Sequence, residues 1–154
     1  MKKLRTIEFY NRCRRVTIPE ENVRDLFHRL DAFGKFPIGN GELSVAFVSE
    51  KKIKAIHSQF LGDRSPTDVI TFPGDTDLDF AGEIIVYPLY AFAQSKRYGT
   101  TFPDEVKLYL VHGYLHLHGL GDKTEKETEQ MRRCEALCMN YLKNFALQVS
   151  LKEE

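Results

Sequence analysis

Residues 112–122 read HGYLHLHGLGD, and three of the five histidines in the chain fall inside them. The residues before them, PDEVKLYLV (103–111), open with a proline and two acids. Apolar positions follow at Val106, Leu110 and Leu117. That pattern predicts a helix from 103 to about 118. His112 and His116 are four apart, so they share one helix face, with Cβ atoms about 5–6 Å apart. His118 lies two residues further on, roughly 200° round the axis, and points elsewhere. GLGD breaks the helix, and Gly119 is free to take the positive φ that turns a chain back. The turn carries Asp122 towards the two imidazoles.

Two imidazoles and a carboxylate in the frame H-x3-H-x5-D have the spacing by which one helix presents ligands to a single Zn²⁺. The frame resembles the metzincin pattern H-x-x-x-H-x-x-G-x-x-H, with aspartate in the third ligand position. Three protein ligands leave a fourth position open, as a catalytic site needs. The blander reading is two histidines on the polar face of a helix, and the glycine-then-acid continuation weighs against it. If the helix ended early, His118 would be a substitute ligand. Zinc proteases of the H-E-x-x-H type carry a general-base glutamate directly after the first histidine, and Gly113 stands there in this chain. Peptide hydrolysis is therefore disfavoured, and phosphodiester hydrolysis by a metal-activated water is the better candidate.

Working outward, RTIEFY (5–10), GELSVAFVS (41–49), TDVITFP (67–73) and AGEIIVY (81–87) read as strands. TIPEENVRDLFHRLDAFG reads as a helix starting at Thr17 or Ile18. Val23, Leu26, Phe27 and Leu30 form its apolar stripe and Gly34 closes it. Ser49 caps a helix over roughly 50–60, another covers about 88–98, and GDTDLDF is an exposed connection. Thr124 and Glu127 have capping-box spacing for a last helix with Met131, Cys134, Cys138, Tyr141 and Phe145 as its buried seam. The tail SLKEE reads as frayed. Four strands interleaved with about five helices indicate a single α+β domain over residues 1–154.

The 154 residues carry 22 basic and 22 acidic side chains, so global charge recruits neither nucleic acid nor anionic membrane. RNA binding would need a local basic patch. Clusters occur at Lys2, Lys3 and Arg5, at Arg12, Arg14 and Arg15, and at Lys51, Lys52 and Lys54. No run of about 18 apolar residues is present, which argues against a transmembrane helix. The basic N-terminus is followed by no signal-peptide apolar core. Three cysteines without a pairing pattern point to a reducing cytoplasm.

HGYLHLHGLGD closely resembles the H-G-x-L-H-L-x-G-x-D-H signature of the YbeY family of bacterial metal-dependent endoribonucleases. SPTDVITFP and AGEIIV resemble two further strand motifs of that family, and the likeness spans about residues 43–142. The resemblance implies a mixed four-stranded sheet packed with helices, and a zinc site at the end of the motif helix. It also implies a role in ribosomal RNA maturation, particularly of the small subunit, and in ribosome quality control. Carried over by position, His112 and His116 are metal ligands. Asp122 takes the place of the third ligand histidine, and Gly121 that of the aspartate before it. The family's RNA-contacting arginine corresponds to Leu61, with Arg64 three residues later as the candidate phosphate contact. Thr67 and Asp68 are expected to shape the cleft or to make a strand-start turn. Glu83 is a candidate partner for a ligand histidine, and His57 stands where the family tends to have asparagine.

Aspartate in the ligand set moves metal preference from Zn²⁺ towards Mn²⁺ or Mg²⁺. The leading expectation is an endoribonuclease that cuts single-stranded rRNA precursors, with the ribosome or small-subunit assembly factors as partners. The alternatives are a weakened, ribosome-associated RNA-binding protein and, less favoured, a zinc peptidase.

Overall fold

The structure is a computed structural model and describes residues 4–61 and 68–152. The elements run β1 (Ile7–Asn11), β2 (Val16–Thr17), α1 (Glu20–Phe33), β3 (Glu42–Phe47) and α2 (Glu50–Leu61). Then follow β4 (Val69–Asp75), a single 3₁₀ turn (Thr76–Leu78), β5 (Phe80–Val86), α3 (Pro88–Tyr98), α4 (Phe102–His118), α5 (Glu125–Tyr141) and β6 (Ser150–Leu151). β1, β3, β5 and β4 form one sheet in that order. The first three are parallel and β4 is antiparallel to β5. The mixed four-stranded sheet and the five helices match the sequence expectation. Among the described residues no helix is long and apolar enough to cross a membrane.

The period-2 alternation of the strands divides the core into two layers. Leu43, Val45, Phe47, Ile84 and Val86 face one side, where α1, α3, α4 and α5 supply the packing residues. Ile85 and Ile70 face the other side and meet Ile53 and Ile56 of α2. The α1 stripe Val23, Leu26, Phe27 and Leu30 is buried as its spacing predicts.

Several boundaries differ from the sequence reading. α1 begins after Pro19, because Val16 and Thr17 pair with Leu151 and Ser150 in a small antiparallel ribbon. Residues 150–152 are therefore held in place, with the Lys152 N–H bonded to the Arg15 carbonyl. β4 runs on to Asp75 and the 3₁₀ turn occupies part of the expected loop. α5 ends at Tyr141, whose exposed ring stacks on Phe33 with centroids 4.2 Å apart. Phe145 is buried beyond the helix end.

Helix α4 is set firmly against the sheet. Two glycines allow the close approach. A Cβ on Gly113 would lie 2.6 Å from Ile84 Cγ2, and one on Gly82 2.7 Å from Leu117 Cδ2. Tyr114 donates to Asp31 of α1 (2.8 Å), and the buried Lys107 ammonium donates to the Leu142 carbonyl just beyond α5 (3.1 Å). The helix that carries the histidines is thus fixed on three sides.

Candidate metal centre

Three side chains converge where α4 ends. Thr101 caps the helix, accepting from the Asp104 N–H (3.2 Å), and the acids Asp104 and Glu105 fill its first turn. At the other end Gly119 adopts φ 119°. Its N–H reaches the carbonyls of Leu115 and His116, and the Leu120 N–H returns to Leu115. This C-terminal turn satisfies carbonyls the helix would leave open. It also reverses the chain, so Asp122 comes back over the helix face it has just left. The Thr124–Glu127 capping box then starts α5.

The His112 and His116 Nε2 atoms lie 2.9 Å apart. Asp122 Oδ2 is 3.4 Å from the first and 3.3 Å from the second. A tetrahedral Zn²⁺ with bonds of about 2.0–2.1 Å spaces its ligand atoms roughly 3.3 Å apart, so the triangle has the right size for one ion. The tautomers fit as well. His112 Nδ1–H donates to Glu135 Oε2 (2.7 Å) and His116 Nδ1–H donates to the Leu120 carbonyl (2.9 Å). Both Nε2 lone pairs therefore point into the same space. Two lone pairs at 2.9 Å repel unless a metal cation or a shared proton lies between them. No other His, Cys, Asp or Glu group among the described residues has this convergence.

His118 is elsewhere. Its Nδ1–H donates to the Pro37 carbonyl (2.7 Å) and its ring meets the edge of Phe36. The helix persists through His118, so the substitute-ligand alternative fails. The partner of His112 is Glu135 of α5 and not Glu83. Glu83 sits in the interior of the sheet, in register with Ser44 and Phe72. Glu135 escaped the sequence reading, yet its signal was present. It stands four residues after Met131 and three before Cys138 on the buried stripe of α5. A lone acid there needs a cationic or N–H partner.

A cleft of about 560 Å³ opens beside His112 and Asp122, two of the three candidate ligands. Asp68, Tyr90, Tyr98, Tyr109, His112 and Asp122 are among its walls, together with Arg132 and Glu135 of α5. Asp68 also accepts from the Val69 N–H at the start of β4 (3.0 Å), so it both lines the cleft and shapes the strand entry. Arg64 and Thr67 lie outside the described residues. None of Arg5, Arg12, Arg14, Arg15, Lys51, Lys52 and Lys54 lines the cleft. Arg5 is engaged by Asp31 and by the carbonyls of Gly39 and Gly41, and Lys54 by Glu50. His57, on α2, has a buried Nδ1 without a hydrogen-bond partner among the described residues.

The family model for Endoribonuclease YbeY matches residues 8–143. The chain belongs to the YbeY family of endoribonucleases. Endoribonuclease YbeY of Thermodesulfovibrio yellowstonii is 30% identical, over 90% of this chain and 98% of that protein. Endoribonuclease YbeY of Thermotoga maritima is 38% identical, over 68% of this chain and 72% of that one. The fold is similar to the solution structure of TM1509 from Thermotoga maritima. The TM-score is 0.60 at 28% identity, covering 90% of this chain and 93% of that one. The YbeY assignment gives the histidine triangle its context, and Asp122 stands in it where the family signature carries a third histidine.

Proposed function

We propose that this protein is a metal-dependent endoribonuclease that hydrolyses phosphodiester bonds in single-stranded segments of ribosomal RNA precursors. It acts in the cytoplasm during small-subunit maturation and ribosome quality control. The observation that carries the reading is the triangle of His112 Nε2, His116 Nε2 and Asp122 Oδ2 at the head of an open cleft.

His112, His116 and Asp122 would hold one cation per chain. Zn²⁺ is the first choice from the two nitrogens, and Mn²⁺ or Mg²⁺ are made competitive by the carboxylate. Such an ion supplies a nucleophilic water near neutral pH and withdraws charge from a phosphoryl oxygen. The protein does the rest. Glu135 and the Leu120 carbonyl each hold one imidazole in a single tautomer and orientation. Tyr98 is exposed beside the cleft with the Arg97 guanidinium 5.5 Å from its ring centroid. An aromatic ring backed by a cation suits an unpaired base and its phosphate, which is how single strands are held without sequence readout. Gly113 leaves the site without the general-base glutamate of a zinc peptidase, and a Cβ there would lie 2.6 Å from Ile84 Cγ2.

The test is metal content by elemental mass spectrometry, paired with cleavage of a single-stranded precursor fragment. About one metal per chain is expected, with cleavage abolished by a chelator and by His116→Ala. RNA that is bound but left uncut under Zn²⁺, Mn²⁺ and Mg²⁺ would instead make the protein a ribosome-associated binder.

A further inference from the structure

We propose that Arg132 grips the scissile phosphate in this cleft, supplying the cation that Leu61 does not. The inference rests on the endoribonuclease reading of the same site. Among the described residues that line the cleft, Arg132 is the only lysine or arginine. It stands on α5 one turn before Glu135, and its Nη1 donates to Glu135 Oε1 (2.7 Å). The other oxygen of that buried carboxylate accepts from His112 (2.7 Å). Guanidinium and imidazole are therefore set against each other through one rigid bridge.

That bridge leaves the arginine free to do something else. Its side chain is 65% exposed, and its remaining N–H donors meet no acceptor among the described residues. The Glu135 carboxylate it touches holds it cationic, with smaller contributions from the carboxylates of Asp68 and Asp122. A planar fork with unused donors on the wall of the cleft suits bidentate capture of two phosphate oxygens. Charge grows on those oxygens as hydrolysis proceeds, so a guanidinium already held in place stabilises the transition state more than the ground state.

A purely structural role makes a different prediction. If Arg132 served only to neutralise Glu135, its loss would loosen His112 and lower metal content. Arg132→Gln and Arg132→Lys, loaded with Zn²⁺ or Mn²⁺, separate the two roles. Three quantities are read: metal per chain, inorganic phosphate affinity by competition with RNA or by calorimetry, and kcat on single-stranded RNA. The proposal expects unchanged metal content, phosphate affinity down about 10-fold in Arg132→Gln, and kcat down about 100-fold. Arg132→Lys should fall between, since it keeps the charge and loses the fork. Free guanidinium should restore part of the activity of Arg132→Ala. Phosphate binding and cleavage that ignore the substitution would overturn the proposal while leaving the endoribonuclease reading intact. Metal loss in Arg132→Gln would also overturn it, in favour of the structural role. If the wild type cuts no RNA but its phosphate affinity depends on Arg132, the phosphate grip stands and the RNA reading falls.

Discussion

Glu135 Oε2 accepts the Nδ1–H of His112 at 2.7 Å, and both groups are largely shielded from water. Burial pushes the Glu135 carboxyl up. The hydrogen bonds from His112 and Arg132 outweigh it and hold the group below the usual carboxylate range. Burial pulls His112 down, and the Glu135 bond and charge outweigh that in turn, leaving the imidazole raised. A carboxylate on Nδ1–H makes the opposite nitrogen a stronger donor and fixes its direction. Glu135→Gln, which keeps an acceptor and removes the charge, should weaken metal binding by about 10-fold, and Glu135→Ala by up to about 100-fold. Competition against a chromogenic chelator measures this. Equal affinity in all three proteins would mean that Glu135 has no influence on the ligand it touches.

Asp122 differs from the two histidines in being anionic and oxygen-based, and its side chain is 43% exposed. It cancels one positive charge on any dication held there, so the water activated at the site should be less acidic than with three imidazoles. Cleavage should rise between about pH 6 and 9. Asp122→His should move that rise to lower pH and shift metal preference from Mn²⁺ towards Zn²⁺, whereas Asp122→Ala should lose most of its metal. A flat profile in the wild type would remove the argument about charge.

The histidine frame was legible because everything in it is local. Helical spacing, a glycine at the helix end and an acid three residues later need no knowledge of the rest of the chain. The four strands were legible for the same reason. Sheet order was not, since the pairing of β1 with β3 and of β3 with β5 joins segments separated by helices. The ribbon of Val16–Thr17 with Ser150–Leu151 is too short to show alternation, so its polar end looked like a loose tail. Glu135 and Arg132 were missed for opposite reasons. The acid carried a signal in its place on an apolar stripe. An exposed arginine on a helix looks like any solvated charge until its neighbours across the cleft are known.

Gly113 shows how packing and chemistry constrain the same residue. A methyl group there would sit 2.6 Å from Ile84 Cγ2 and 3.3 Å from Val69 Cγ1. Overpacking of this kind costs about 1–3 kcal/mol, against a gain of about 1 kcal/mol in helix propensity for alanine. Gly113→Ala should therefore lower Tm by a few degrees, roughly 2–4 °C per kcal/mol of net loss in a chain of this size. Metal affinity should fall with it, because His112 is the next residue and α4 must shift off the sheet. Thermal melts with and without metal test both. A variant as stable as the wild type would show that Ile84 rotates away at no cost, and the packing reason for glycine would be gone.

The cleft poses an electrostatic problem for a polyanionic substrate. Among its described lining residues, Asp68, Glu105, Asp122 and Glu135 are opposed by Arg132 alone. Without a dication that surface repels RNA; with one beside Asp122 most of the excess negative charge is removed at the point where a phosphate must sit. Affinity for single-stranded RNA should therefore rise about 10-fold on metal loading, by the same logic that makes phosphate contacts dominate binding. The dependence on salt should steepen too, by about 0.7 in the log–log slope for each additional phosphate neutralised. Fluorescence anisotropy over a salt series, with a gel confirming that the strand stays intact, reads both effects. His116→Ala should behave like the metal-free protein at every salt concentration. If metal changes neither affinity nor slope, the RNA is held on some other face, and the cleft beside His112 is not where it binds.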